Sequence, residues 1–175
     1  MNHDHYDDDY IREILATVKR VAIVGASANE VRPSFFVTKY LIAKGYEVFP
    51  VNPGIAGREI AGRTVYATLA DVPPPVDMVD VFRSADYAPG IVEEAIRIGA
   101  KVIWMQLGVR HDAAAATAEA AGLKVVMNRC PKIEYGRLCG EISWAGINSG
   151  QISAKRAKTG AGYQNLRLDG SKSDA

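Results

Sequence analysis

Cysteine, histidine and net charge are all scarce in this sequence of 175 residues, and each scarcity narrows what the protein can be. Cys130 and Cys139 are too few for a disulfide framework, so we expect a reducing compartment, the cytoplasm. Twenty-one basic residues meet 20 acidic ones, and a net charge of +1 gives no field to attract nucleic acid. No run approaches the roughly 18 apolar residues that span a bilayer. The composition therefore favours a globular domain that binds neither nucleic acid nor membrane.

The spacing of apolar residues alternates between the periods of strands and helices. Short runs rich in β-branched residues predict five strands, at residues 20–25, 46–51, 77–82, 101–106 and 124–127. An opening amphipathic helix precedes them, and helical spacing predicts further helices at 33–44, 89–98 and 111–121, each followed by glycine. We therefore predict an α/β fold: a single Rossmann-like doubly wound domain, with a five-stranded parallel sheet in the order 3-2-1-4-5 flanked by helices.

The domain is predicted to cover residues 1–150, and the polar, basic tail at 151–175 is predicted to be disordered. Residues 54–75 are rich in glycine and proline, which predicts a crossover with a short strand or a single helical turn. The apolar side chains of segment 134–147, around Trp144, either cover a sheet edge or pair with a second subunit. The second alternative would make the protein a homodimer.

Open parallel sheets bind ligands outside the carboxyl ends of their strands, where the winding reverses. After the first strand the chain reads GASANEVRPS, in which a glycine turn leads to a helix N-terminus whose dipole favours an anion. The candidate phosphate-binding residues are Gly25, Ala26, Ser27, Arg32 and Ser34. Arg32 can hold the anion through its guanidinium. Alternatively, the loop is only a tight turn and Arg32 pairs with a surface carboxylate.

The end of the second strand discriminates between ligands. NAD sites usually carry an acidic residue there, about 20 residues beyond the loop, to hold the ribose hydroxyls. This sequence has Asn52 and Pro53 instead, and the third glycine of GxGxxG is missing. An NAD(P)-binding oxidoreductase is therefore the alternative interpretation and not the first. Asn52 either donates a hydrogen bond to a ligand or opens a turn before Pro53.

GASANEVRPS, PVNP, VDMVDVFR, IWMQLG and NRCPKIEYGRL, taken in this order, resemble the CoA-binding domain family. From about Tyr10 to Leu138 the chain is similar to the nucleotide-binding domain of the succinyl-CoA synthetase alpha subunit. The resemblance implies that coenzyme A (CoA) lies across the carboxyl edge of the sheet with its phosphates at the first loop. It also implies that the adenine end lies near Asn52, Pro53, Phe82 and Arg83. Phe82 has plain core packing as an equal alternative.

The residues after the fourth strand suit the pantetheine arm of the implied ligand. Gly108 permits a close backbone approach beside Leu107, and Gln106 can bond an amide of the arm. Cys130 follows the fifth strand beside Arg129, whose charge would lower the pKa of the thiol and favour a mixed disulfide with CoA. Alternatively, Cys130 is a small buried residue. Trp104 is expected in the core.

No catalytic or metal-binding set is apparent in the sequence. The synthetase resemblance implies a phosphohistidine from a second domain, for which this sequence has no counterpart. His3 and His5 are expected to be solvated, and His111 to begin a helix. No Ser-His-Asp set, Walker motif or metal-ligand spacing occurs. We therefore predict a binding module for CoA or an acyl-CoA, acting as a carrier, sensor or enzyme partner, in preference to an enzyme.

Overall fold

The computed structural model describes residues 1–141 and 167–168. The chain forms two compact units, Val18–Cys130 and Met1–Thr17 with Pro131–Ala175. Trp144, and the predicted tail apart from 167–168, lie outside the described residues. Within the described part, no helix is both long enough and apolar enough to cross a membrane. The predicted bounds of the domain remain a prediction.

Helices and strands alternate as the sequence predicts. The helices are α1 (Asp8–Thr17), α2 (Pro33–Ala43), α3 (Ala88–Arg97), α4 (Asp112–Ala120) and α5 (Pro131–Cys139). The strands are β1 (Arg20–Val24), β2 (Glu47–Val51), β3 (Glu59–Ile60), β4 (Arg63–Thr64), β5 (Met78–Val81), β6 (Val102–Met105) and β7 (Lys124–Val126). The crossover after β2 contains the short β3–β4 hairpin and a 3-10 turn at Leu69–Asp71, so a short strand and a helical turn, expected as alternatives, are both present.

The main sheet confirms the predicted fold class, with five parallel strands in a Rossmann-like α/β unit. The predicted strand order is wrong. The order is β2-β1-β5-β6-β7, so the third parallel strand pairs with the first and not with the second. The free edge of β2 is instead taken by Tyr66, whose N–H donates to Pro50 O at 2.9 Å and whose carbonyl accepts from Asn52 N at 2.8 Å. The winding therefore reverses between β1 and β5.

The two faces of this sheet differ in what they bury. One face carries alternate apolar residues, including Val79, Val81, Ile103 and Met105, in a cluster with residues of α3 and α4. The other face carries Asp80 and Trp104, which are opposite each other in register. Trp104 is fully buried, as expected, and its Nε1 donates to Arg129 O at 2.7 Å.

The Asp77 side chain links the amino ends of strands β1, β5 and β6 through hydrogen bonds. Its carboxylate accepts from the backbone N–H groups of Lys19 and Arg20 at 3.0 Å each, and from Lys101 Nζ at 2.9 Å. Burial alone would raise the pKa of Asp77, but these hydrogen bonds outweigh burial and hold the pKa below its usual value. The edge opposite the candidate site is therefore held by a charged group.

The second unit contains α1 and α5, which a buried arginine joins. Arg137 donates to Glu134 Oε2 at 2.7 Å and to Asp8 Oδ1 at 2.8 Å. Burial alone would lower the pKa of Arg137, but the two carboxylates raise it above its usual value. The expectation that His3 is solvated is wrong, because the residue is buried with Nδ1 2.9 Å from the Tyr6 hydroxyl.

Candidate ligand site

Gly25 is the point at which the loop after β1 meets the end of β5. Its φ of +88° lies in the left-handed region, and a Cβ there would be only 3.2 Å from the carbonyl carbon of Phe82. Its N–H donates to Val51 O at 2.9 Å, at the end of β2. Glycine is therefore required here by backbone conformation and by the close approach of the next strand.

The rest of this loop is shaped by short local hydrogen bonds. Ser27 Oγ accepts from Asn29 N at 3.1 Å, and Asn29 Oδ1 accepts from Val31 N at 3.1 Å. Asn29 O accepts from Arg32 N at 3.0 Å, which brings the chain to the start of α2. Ala26 is fully buried beneath this turn, whereas Ser27 is half-buried. These hydrogen bonds therefore hold the loop in one conformation without help from a ligand.

Arg32 is an exposed cation at the N-terminus of α2. It occupies the N-cap position in extended conformation, with Pro33 as the first helical residue. Within the described part of the chain its guanidinium has no carboxylate partner, so the alternative of a surface ion pair gains no support there. Ser34 follows in the first turn and is buried. A positive side chain and a helix N-terminus therefore stand together, as an anion site requires.

Asn52 braces the first loop from the end of β2. Its Nδ2 donates to Ala26 O at 2.8 Å, and its Oδ1 accepts from Gly54 N at 2.9 Å. The second bond opens the short 3-10 turn Pro53–Ile55, in which Pro53 is exposed. Of the two alternatives for Asn52, turn opening is therefore observed.

Phe82 and Arg83 come directly after β5. Phe82 N donates to Val24 O at 2.8 Å, and the residue is half-buried. The Arg83 side chain passes Gly25, and its guanidinium carbon lies 5.6 Å from the centre of the Tyr87 ring. Tyr87 is 60% exposed and was not among the predicted site residues. Stacking of this kind orders an arginine while leaving its charge available.

Gln106 bonds to an acidic residue that the sequence analysis did not select. Its Nε2 donates to both carboxylate oxygens of Asp80, at 3.0 Å each. Complete burial raises the pKa of Asp80 to about 8, although the hydrogen bond from Gln106 lowers it in part. The signal was present in VDMVDVFR, where an aspartate interrupts an otherwise apolar strand. Gln106 therefore lies at the predicted edge, but its amino group already has a partner.

The loops after β6 and β7 are tied together by Asn128, which was also missed. Asn128 Oδ1 accepts from Gly108 N at 2.8 Å, and Asn128 N donates to Val109 O at 3.1 Å. Both Gly108 and Asn128 have positive φ, +79° and +52°. Leu107 is 56% exposed at this position. Asparagine is among the few non-glycine residues that adopt this conformation readily, which gives a physical reason for it here.

Cys130 lies in the loop after β7, and His111 lies at the start of α4. Cys130 is buried and forms no disulfide within the described residues. Its neighbour Arg129 is half-buried and donates to Asn128 O at 3.0 Å. His111 begins α4, where Nδ1 accepts from Ala114 N at 3.1 Å, so the expected helix-start position is confirmed.

The contacts join some predicted site residues and leave others apart. Gly25, Phe82 and Arg83 lie in direct contact, and Ala26 is bonded to Asn52. Arg32 instead lies at the far end of its loop. All of these positions follow carboxyl ends of strands in one parallel sheet, where ligands of such folds bind.

Known proteins resemble this chain in sequence and in structure. A family model described as a CoA binding domain matches residues 19–136. Uncharacterized protein YneT of Bacillus subtilis is 37% identical over 125 residues, which is 71% of this chain and 91% of that protein. A hypothetical protein from Pyrococcus horikoshii has a solved structure with a TM-score of 0.73 and 41% identity, covering 77% of this chain and 94% of its own.

A longer protein also shares part of the sequence. Subunit alpha of acetate–CoA ligase [ADP-forming] I from Pyrococcus furiosus is 37% identical over 95 residues. The match covers 52% of this chain but only 21% of that subunit. The chain is therefore related to one part of a ligase subunit, and most of that subunit has no counterpart in the match.

Proposed function

The chain belongs to the CoA-binding domain family, and from this premise we propose that it binds coenzyme A or an acyl-CoA at the carboxyl edge of its sheet. It does so as a stand-alone, non-catalytic module that serves as a carrier, a sensor or a partner of an enzyme. The observation that carries the proposal is Arg32, an exposed arginine at the N-terminus of α2, at the end of the loop that begins at Gly25.

The phosphates of the ligand would bind at this helix end. A helix N-terminus carries partial positive charge and offers backbone N–H groups, and an arginine adds bidentate hydrogen bonds to a phosphate. Because Asn52 and Gly25 fix the loop to neighbouring strand ends, little of it has to be ordered on binding. The loop thus favours binding through preorganisation as well as charge.

The adenine end would lie toward the loops after β2 and β5. Tyr87 offers an exposed aromatic face there, and Arg83 packs over its ring. Asn52 stands where an NAD site would carry a carboxylate for the ribose, and its carboxamide already bonds to Ala26 and Gly54. These features favour CoA over a nicotinamide cofactor.

The test is calorimetric titration of the nucleotide-stripped protein with CoA, dephospho-CoA and NAD. We expect saturable binding of CoA, and Arg32→Ala should weaken it about tenfold or more, because a charged hydrogen bond contributes about 1.5–3 kcal/mol. Arg97→Ala, which removes an exposed arginine from the last turn of α3, is the matched control and should leave affinity unchanged. Binding of NAD without CoA would refute the proposal and favour the alternative, an NAD(P)-binding oxidoreductase.

The non-catalytic part of the proposal needs its own measurement. Acetyl-CoA incubated with the protein, ADP and phosphate should be recovered intact, because this proposal assigns no side chain a catalytic role. Release of free CoA above the rate without protein would refute a purely binding role. We also propose a cytoplasmic location, because two cysteines are too few for a disulfide framework. We further propose that the protein is a homodimer, which light scattering would test.

A further inference from the structure

Asp80 is an acid in the interior of a parallel sheet. It lies on the central strand β5, in register with Ile23 of β1 on one side and Trp104 of β6 on the other. None of its surface is exposed. Burying a carboxyl group among apolar neighbours is costly unless it is hydrogen-bonded. The hydrogen bond from Gln106 is therefore what offsets the cost of burying Asp80.

That hydrogen bond comes from Gln106, the first residue after β6. Gln106 Nε2 donates to both oxygens of Asp80, so the amino side of the carboxamide faces into the sheet. The other polar atom, Oε1, has no protein partner within the described part of the chain. Yet no fully buried side-chain oxygen or nitrogen lacks a partner there, so Oε1 reaches accessible surface. Within the described residues, Gln106 Oε1 is thus an accessible hydrogen-bond acceptor without a protein partner. It lies at the carboxyl end of β6, just before Leu107 and Gly108.

We infer that Asp80 is a positioning residue, which holds the Gln106 carboxamide so that its carbonyl oxygen accepts a hydrogen bond from an amide N–H of the bound ligand. The ligand class is therefore one with a secondary amide beyond its phosphates, such as the pantetheine arm. This inference rests on the proposed function. It assigns the specificity for the arm to a residue that never touches the ligand.

The orientation depends on the charge of Asp80. A carboxylate only accepts hydrogen bonds and therefore fixes Gln106 with its amino group inward. A protonated carboxyl also donates, and it allows the carboxamide to turn so that the amino group faces the ligand instead. Besides burial, Gln106 is the only group among the described residues that perturbs the Asp80 pKa, and no charged group does so. Since burial brings that pKa to about 8, both forms exist near neutral pH.

The experiment compares a ligand that has the pantetheine arm with one that lacks it. Dissociation constants are measured by calorimetry for S-methyl-CoA, whose sulfur does not titrate, and for adenosine 3′,5′-bisphosphate, which lacks the arm. The pH dependence of the ratio reports on the arm between pH 7 and pH 9.5, because the phosphate monoesters of both ligands, whose second pKa is about 6, are already ionised there. In the native protein the advantage of S-methyl-CoA should rise about two- to tenfold between pH 7 and pH 9.5, the size of one hydrogen bond.

Two variants and a control separate positioning from structure. Gln106→Leu should lower the advantage about two- to tenfold at pH 9, while leaving affinity for the bisphosphate unchanged. Between pH 7 and pH 9.5, Asp80→Asn should give an advantage that no longer varies with pH, close to that of the native protein at pH 7. Asp77→Asn removes a carboxylate next to the same strand at its opposite end, and it should keep the native pH profile.

The outcomes are distinguishable. An advantage that is flat with pH in the native protein and unchanged in Gln106→Leu overturns the inference even if S-methyl-CoA binds well. If neither ligand binds the native protein, the proposed function itself fails and the inference falls with it. Should Asp80→Asn not fold, the native pH profile and Gln106→Leu still decide the matter.

Discussion

The buried carboxyl of Asp80 makes a prediction about stability that is independent of any ligand. A group whose folded pKa is raised binds its proton more tightly in the folded state, so stability is greatest below its unfolded pKa of 3.8 and falls as pH rises toward about 8. Each pH unit in that range costs about 1.4 kcal/mol, so by pH 7 the loss is of order 4 kcal/mol. Asparagine has nearly the same shape and no proton to lose.

The effect of Asp80→Asn on the free energy of unfolding should therefore change sign with pH. At pH 4.5 the variant should be less stable than the native protein, because one amide hydrogen loses a good partner at a cost of about 1–3 kcal/mol. At pH 8 to 9 the ionisation penalty of the native protein has grown to between about 5 and 6 kcal/mol, so after that cost is subtracted the variant should be more stable by about 2–5 kcal/mol. Urea unfolding followed by circular dichroism at intervals from pH 4.5 to 9 measures both values.

Asp77→Asn is the matched control for this experiment, because its effect on stability should vary with pH in the opposite direction. The Asp77 pKa is lowered, so its contribution is present above the unfolded value of 3.8 and is lost as pH falls through the folded value. That substitution should destabilise the protein at pH 7 and have less effect near pH 3. If the Asp80→Asn curve runs parallel to the native curve at every pH, Asp80 does not titrate between the folded and unfolded states as argued.

Two further substitutions test the carboxyl edge. Gly25→Ala should destabilise the protein by about 1–3 kcal/mol in urea unfolding, more than Gly122→Ala, because both have positive φ but a Cβ meets neighbouring backbone only at Gly25; equal effects would refute the close approach. Exposure to CoA disulfide should give an adduct of one CoA by mass spectrometry, formed when the Cys130 thiolate attacks the disulfide and releases one CoA thiol. Cys130→Ser should abolish the adduct and Cys139→Ser should retain it, whereas an adduct that survives Cys130→Ser would refute the assignment.

The helices and parallel strands could be predicted because each has its own local signal. Glycine follows the predicted helices, and the strands are short runs of apolar, β-branched residues. The lateral order of the strands has no such signal. In the structure Tyr66, within an irregular crossover, pairs with the outer edge of β2, and β5 pairs with β1. A tertiary contact of this kind is not encoded in the periodicity of either segment.

The candidate site was predictable to a similar extent, and for a similar reason. Residues directly after strands, such as Gly25 and Arg83, follow from the rule that ligands bind at carboxyl ends. Asp80 lies inside a strand, and Asn128 acts through a bond to a different loop. His3, expected in solvent, is buried against Tyr6. Each of these depends on which segment packs beside it, and the sequence alone does not contain that information.

The corrected strand order also changes which residues stand at the centre of the site. With the winding reversed between β1 and β5, the rule for such sheets expects the ligand where Gly25 approaches Phe82 and Arg83, and not between the first and fourth parallel strands, as the order 3-2-1-4-5 implied. Gln106 then lies one strand away from that position. A ligand that reaches both positions must be long, with an anionic end at the α2 N-terminus and an arm extending across β5 toward β6. Under the proposed function, that requirement favours the extended shape of CoA over a compact mononucleotide.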